Sequence, residues 1–68
     1  NPVHDRVNIL VEENYDYSII NLAGMEVQSG KIIKGNNSIE LNKSIQKGIY
    51  MIRLNNDNGQ LNQQIIKE

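Results

Sequence analysis

The side chains that could do acid–base or metal chemistry are few in this sequence. His4 is the only imidazole, and Cys is absent. A general base must lie within hydrogen-bond reach of the proton that it accepts, whereas neighbours on an extended chain, such as His4 and Asp5, point to opposite sides. One His without Cys also cannot build a zinc site. We therefore expect neither histidine catalysis nor bound zinc.

Two asparagine-rich stretches carry oxygen atoms of the kind that calcium prefers. Residues 55–59 read Asn-Asn-Asp-Asn-Gly, but only Asp57 is charged, and Glu68 is too far along the chain to act as the bidentate ligand of an EF-hand loop. A hairpin turn explains every residue of this stretch, and a turn equally explains Gly35-Asn36-Asn37. We expect turns at both places, with no metal and no cofactor.

The remaining candidates for catalysis are carboxylates and hydroxyls. Glu12, Glu13 and Asp16 could supply the paired carboxylates of glycoside hydrolysis, but a sheet of this size has no cleft deep enough to exclude water. The four serines lack the G-x-S-x-G context of an activated nucleophile, and no glycine-rich loop leads into a helix that could cradle phosphate. We expect no enzymatic activity and no small-molecule substrate.

Aromatic and basic side chains give no pattern for binding sugars or nucleic acids. Tyr15, Tyr17 and Tyr50 are the only aromatic residues; Tyr50 lies on the inward face of a strong strand, so we expect it in the core, and Tyr15 lies at a strand entrance. Seven basic side chains are interspersed with eight acidic ones. Nucleic-acid binding proteins normally carry a basic stripe, and we expect no nucleic-acid partner here.

The elements that position these residues are strands, because apolar residues alternate over short stretches and never recur at helical spacing over more than two turns. Pro2 precedes the first strand, and Gly30 marks a bend or bulge between Ser29 and Lys31. The first half of the chain then gives strands with inward Val7, Ile9 and Val11, with Tyr17 and Ile19 ending at Asn21-Leu22, and with Met25 and Val27 after a tight turn at Ala23-Gly24.

The second half of the chain has the clearest strand. The segment Asn42–Lys47 is irregular, with Ile45 as a lone apolar anchor, and we expect it to cross from one sheet to another. The expected elements are a turn at Lys34-Gly35-Asn36-Asn37, a strand with Ile39 and Leu41, a strand from Gly48 with Tyr50, Ile52 and Leu54 inward, a hairpin loop at Asn55–Gly59, and a closing strand Gln60–Lys67.

Short strands at intervals of roughly ten residues predict an all-β fold, with a sandwich as its architecture. No apolar run is long enough to span a membrane, and no signal-peptide pattern opens the chain. Since the chain also lacks an initiator Met, we expect residues 1–68 to be a single domain excised from a longer protein. We assign no chemistry to the abundance of Asn and Ile.

Short motifs follow one another along the chain in a recognisable order. They are Asn1-Pro2, Leu22-Ala23-Gly24 with a later Gly30, Lys47-Gly48-Ile49-Tyr50, Asn58-Gly59 and a terminal strand ending in Lys67. Together they resemble the type A C-terminal sorting domain of the type IX secretion system of Bacteroidota, over essentially all 68 residues. The residues that match the family motifs are Asn1, Pro2, Leu22, Gly24, Gly30, Lys47, Gly48, Tyr50, Gly59 and Lys67.

The resemblance implies a fold and a function. The fold would be a small immunoglobulin-like antiparallel β-sandwich of six or seven short strands, with Gly24, Gly48 and Gly59 in backbone conformations that a Cβ would strain and Tyr50 as a core anchor. The domain would direct an N-terminal cargo domain from the periplasm, through an outer-membrane translocon and its shuttle proteins, to the outer membrane, cell surface or extracellular space. A sortase-like peptidase would remove it near Asn1 or upstream, releasing the cargo or attaching it to the surface.

The motifs look mainly structural, and the surface that the translocon reads is a separate question. We expect the closing strand to be a sheet edge to which a partner adds a strand, and Gln63→Pro to test it. The recognition residues would be Gln60, Leu61, Asn62, Gln63, Gln64, Ile65, Ile66, Lys67 and Glu68. The alternative is an accessory module of a secreted enzyme that binds carbohydrate or protein, since fold alone does not fix function.

Overall fold

The computed structural model describes residues 2–68, which form seven strands in two sheets and confirm the expected all-β sandwich. The family-motif residue Asn1 lies outside the described residues. Within residues 2–68 no helix is long and apolar enough to cross a membrane. The strands are β1 (Pro2–Val3), β2 (Arg6–Val11), β3 (Tyr15–Asn21), β4 (Glu26–Ile32), β5 (Gly35–Glu40), β6 (Gly48–Asn56) and β7 (Gly59–Lys67).

The two sheets differ in size. The larger has the strand order β1-β7-β6-β3-β4, and the smaller pairs β2 with β5. The β2–β5, β3–β4, β3–β6 and β6–β7 pairings are antiparallel, whereas β1 runs parallel to β7. Because neighbouring strands are about 4.8 Å apart, two strands cannot cover the whole face of a five-stranded sheet. Part of the inner face of the larger sheet is therefore open.

The core lies between the two sheets and is entirely apolar. Alternate residues of each strand point inward, as the period-2 pattern predicts, and Ile19 and Ile52 at the centre are 0% and 1% exposed. Ile45 is buried in the segment that crosses from β5 in the smaller sheet to β6 in the larger, as expected. The buried residues are Val7, Val11, Tyr17, Ile19, Ile32, Ile39, Leu41, Ile45, Ile52, Leu54 and Ile65.

The third expected strand differs from the observed one. Strand β4 runs from Glu26 to Ile32 without interruption, and Met25 is exposed before it. Gly30 is therefore neither a bend nor a bulge; the register shift lies opposite Ile19 and Ile20 of β3, where Val27 is the extra residue on β4. A Cβ at Gly30 would lie 2.7 Å from Cε2 of Tyr17, so the glycine is required by the close approach of that ring.

The turn expected at residues 34–37 is shorter in the structure. Strand β5 already begins at Gly35, and Asn36 and Asn37 pair with Leu10 and Ile9 of β2. The chain reverses direction at Ile33 and Lys34 alone. The side chain of Asn37, which lies in β5, stabilises this short turn because its Nδ2 donates a 2.7 Å hydrogen bond to the carbonyl of Ile33. The later hairpin is similarly compact, with only residues 57–58 outside strands β6 and β7.

Pro2 is also part of a strand, contrary to expectation. Its backbone pairs with Ile66 in the parallel β1–β7 ladder. Strand β1 has two residues and lies at the edge of the sheet, a position that tolerates a residue without an N–H. A strand this short carries no periodic signal, which is why the alternation pattern did not reveal it.

Candidate functional site

Most of the motif residues lie at one end of the larger sheet. Strand register places Gly48 opposite Lys67, and Val3, next to Pro2, also opposite Lys67. Asn21, which precedes the Leu22–Gly24 turn, pairs with Tyr50. Residues that are far apart in the sequence are therefore neighbours, and the first and last strands end beside them.

Two motif side chains hold the loop that joins the sheets. The Tyr50 hydroxyl donates a 2.6 Å hydrogen bond to the carbonyl of Gln46, and the Lys67 ammonium donates a 2.7 Å bond to the carbonyl of Ile45. A tyrosine that bonds backbone a few residues upstream also fixes a corner of immunoglobulin domains. Tyr50 is partly buried and packs against the core, so it anchors the core from its margin. Tyr50 and Lys67 therefore hold the crossing loop in place.

The Leu22–Gly24 turn is organised by Asn21, a residue that sequence reasoning missed. The Asn21 Oδ1 accepts hydrogen bonds from the N–H of Ala23 at 2.9 Å and of Met25 at 3.0 Å. Gly24 has φ of +84°, a conformation that glycine adopts without steric strain. An Asn directly before a turn is a recognisable signal, because its side chain can accept a hydrogen bond from the backbone N–H two residues later.

The other predicted glycine conformations are confirmed. Gly48 and Gly59 have φ values of +154° and +146°. Gly48 pairs with Lys67, at the end of the larger sheet where most motif residues lie. Gly59 is the first residue of β7 at the opposite end of the sheet, where it pairs with Asn56 across the hairpin. Gly59 and Gly30 are thus motif residues that lie away from the cluster around Lys67.

Strand β7 holds the proposed recognition residues, but it is not an edge along its whole length. It lies between β6 and β1, and β1 pairs with its last residues, Ile66 and Lys67. Ile65 is a core residue. The expectation of an open edge over Gln60–Lys67 therefore needs correction: the open part precedes Ile65, and its residues are exposed.

The direction of the backbone groups along β7 follows from one hydrogen bond. The Glu68 N–H donates to the carbonyl of Val3 at 2.8 Å, away from β6. Since backbone groups alternate in direction along a strand, those of Gln60, Asn62 and Gln64 also face away from β6. Between Gly59 and Ile66 there is no charged residue and no Pro, the usual protection of an edge strand.

The candidates for acid–base and metal chemistry do not assemble into a site. His4 and Asp5 are both exposed. Within residues 2–68 no three His, Cys, Asp or Glu residues lie close enough together to hold a metal ion. Glu13 instead accepts hydrogen bonds from the side-chain amides of Asn56 and Asn58, at 3.3 and 2.6 Å. The carboxylate nearest the hairpin thus stabilises the turn.

Amide side chains have a structural role that the composition did not reveal. Gln28 of β4 links the sheet to the crossover: its Nε2 donates to the Glu40 carbonyl at 2.9 Å, and its Oε1 accepts from the Asn42 N–H at 2.8 Å. The Asn14 Oδ1 accepts from the N–H of Lys34 at 2.9 Å. Gln28 and Asn14 therefore satisfy backbone groups at strand ends.

Comparison with known proteins identifies the family. No curated protein and no solved structure matches the chain. The family model of the secretion system C-terminal sorting domain matches residues 1–68. Domains of this family are sorting signals, non-catalytic in general, of proteins exported to the cell surface or the extracellular space. The chain belongs to the family of C-terminal sorting domains of the type IX secretion system.

Proposed function

We propose that residues 1–68 form the single C-terminal domain of a larger secreted protein and direct its N-terminal cargo across the outer membrane. The partners are the translocon and shuttle proteins of the type IX system, which the domain meets after periplasmic transit. A sortase-like peptidase then removes the domain near Asn1 or upstream, and the cargo is attached to the surface or released. The domain itself is non-catalytic and takes no cofactor.

The observation that carries this proposal is the open, uncharged backbone edge of β7. Unpaired N–H and C=O groups on a strand are a template for a strand from a partner, and Gln60 and Asn62 direct theirs to the open side. The Gln64 N–H also faces that side, whereas the Gln64 carbonyl accepts a 3.1 Å hydrogen bond from the Gln63 side chain. In strand addition the affinity comes from main-chain hydrogen bonds. Because these bonds depend little on side chains, the same machinery can bind the sorting domains of many cargo proteins. We propose that the export machinery binds the domain at this edge, over Gln60–Gln64, with the rest of β7 to Glu68 as its continuation.

The position of the N-terminal strand supports removal without unfolding. The hydrogen bond from the Glu68 N–H to the Val3 carbonyl holds β1 beside Glu68. A cut upstream of Asn1 leaves every strand pairing of residues 2–68 in place. The β7 edge therefore persists before and after the cut, and cleavage separates the cargo from an intact domain.

The structure changes which substitution tests the edge. The N–H of Gln63 faces β6, where Gln63 pairs with Ile52, so Gln63→Pro removes an interior ladder bond and destabilises the domain. Asn62→Pro removes an N–H on the open side, where proline is tolerated. We expect the Gln63→Pro domain to unfold at a clearly lower temperature than the Asn62→Pro domain; equal melting temperatures would contradict the assigned backbone directions.

A reporter fusion tests the function. Residues 1–68 are placed behind a passive reporter that carries an inner-membrane signal peptide, in a type IX-competent strain and in one without the translocon. We expect reporter at the surface or in the medium only in the competent strain. Equal amounts outside both strains, or none outside either, would refute sorting. Retention of the fusion on glycans without export would favour the accessory module.

A further inference from the structure

A cleft of about 470 Å³ opens along one side of the sandwich, between β2 of the smaller sheet and β7 of the larger. It exists because the two-stranded sheet does not reach across the inner face of β7. None of the residues that line it is charged. Its walls include Ile9, Leu10 and Val11 from β2 and Leu61, Gln63 and Ile65 from β7.

Both walls of the cleft end in open backbone edges. On β2, the Asp5 carbonyl accepts a 2.8 Å bond from the Leu41 N–H, which follows β5. By alternation, the backbone groups of Asn8 and Leu10 face away from β5, toward the cleft. On β7, the backbone N–H and C=O of Asn62 face away from β6, on the same side as the Glu68 N–H that bonds Val3. The cleft thus has unpaired polar backbone on two sides and apolar side chains at its base.

Leu61, at the cleft, lacks a covering layer. It is 54% exposed although it lies on the same inner face of β7 as buried Ile65. Leu61 pairs with Leu54, which is buried under the smaller sheet. The apolar surface of the core therefore continues from buried Leu54 to exposed Leu61, which lies beside the open edge of β7.

We propose that this cleft accepts one extended, uncharged segment of the export machinery, with apolar side chains at alternate positions. The proposal rests on the function proposed above and specifies its partner. A strand added to the β7 edge lies about 4.8 Å beyond Leu61, and every second side chain then projects from the inner face into the cleft. Because no lining residue carries charge, a charged side chain there would lose water without gaining a partner. The matching strand is neutral.

The test uses the full-length exported protein in type IX-competent cells. Leu61→Asp places a charge in the cleft, and Ile33→Asp is the matched control because Ile33 is 67% exposed and lies outside it. We expect Leu61→Asp to lower the exported amount about tenfold or more, and Ile33→Asp to leave it within about twofold. Melting of each purified protein establishes that it is folded.

Further outcomes separate this proposal from the one on which it rests. Normal export of Leu61→Asp with loss of export in Asn62→Pro would overturn the cleft and keep the edge; normal export of both would overturn both. Should Leu61→Asp fail to fold, Leu61→Ser replaces it, with the same expected direction and the same refutation by normal export. Equal loss in Ile33→Asp would overturn the cleft. Sedimentation that gives a dimer, dissociated by Leu61→Asp, would assign the cleft to a second copy of the chain and also overturn it.

Discussion

The Tyr50 hydroxyl donates a 2.6 Å hydrogen bond to the carbonyl of Gln46, and the carbonyl just before it, that of Ile45, accepts a 2.7 Å bond from Lys67. Residues from two separate motifs thus hold consecutive carbonyls of the loop that crosses between the sheets. In this respect the family pattern is a folding pattern. It ties β6, through Tyr50, and β7, through Lys67, to the crossing loop.

Tyr50→Phe removes the hydroxyl and keeps the ring. We expect the free energy of unfolding to fall by about 1 kcal/mol, the typical net value of one hydrogen bond, with export retained. Urea denaturation of the purified protein measures the change. Tyr15→Phe is the control, since its hydroxyl has no hydrogen-bond partner among residues 2–68; an equal loss in both variants would contradict the role of the Gln46 bond.

Lys67→Met keeps the length of the side chain and removes the ammonium. We expect a loss of about 1–2 kcal/mol in the free energy of unfolding, because a charged donor is lost and the Ile45 carbonyl is left without it. Both bonds fix one loop, so the Tyr50→Phe, Lys67→Met double variant should lose less than the two single losses combined. Strict additivity in urea denaturation would show that the two bonds act independently.

Gly30→Ala places a Cβ 2.7 Å from Cε2 of Tyr17. Reduced freedom of the unfolded chain favours alanine by about 0.4–1 kcal/mol, but overpacking a filled site costs about 1–3 kcal/mol, so we expect a net loss of stability. Thermal unfolding is compared with that of Ser29→Ala. In a Tyr17→Leu background the cost of Gly30→Ala should largely disappear; an unchanged cost there would exclude the ring as its cause.

Asn21→Ala removes the acceptor that organises the turn before Met25. We expect a loss of about 1 kcal/mol and faster hydrogen exchange at the amides of Ala23 and Met25, which bond the Asn21 side chain. Asn36→Ala, at an exposed position in β5, is the control. Unchanged exchange at Ala23 and Met25 would contradict the capping role.

Alternation of apolar residues was sufficient to predict the strands that border the core. Val7 and Val11, and likewise Ile52 and Leu54, lie inward as their spacing indicates, because one face of each strand must be buried. The crossing segment with Ile45 was predictable for a similar reason: a lone apolar residue in a polar segment has to reach the core. These are consequences of local pattern, which a single sequence carries.

The features that define the candidate site are non-local and were not predictable in the same way. Strand order depends on the pairing of Pro2 and Val3 with the end of β7, which a two-residue strand does not signal. The requirement at Gly30 comes from the Tyr17 ring on a neighbouring strand. The cleft beside Leu61 arises from the unequal size of the two sheets, and no residue pattern expresses that difference.

We propose that the export machinery binds the open backbone edge of β7, and export of a matched pair of variants tests this proposal most directly. Asn62→Pro and Asn62→Ala both remove the side chain, but only proline removes the edge-facing N–H. With both proteins folded, the surface or medium yield in type IX-competent cells should fall about tenfold or more for Asn62→Pro and remain near the unmodified level for Asn62→Ala. Equal, normal yields of the two folded variants would contradict the claim.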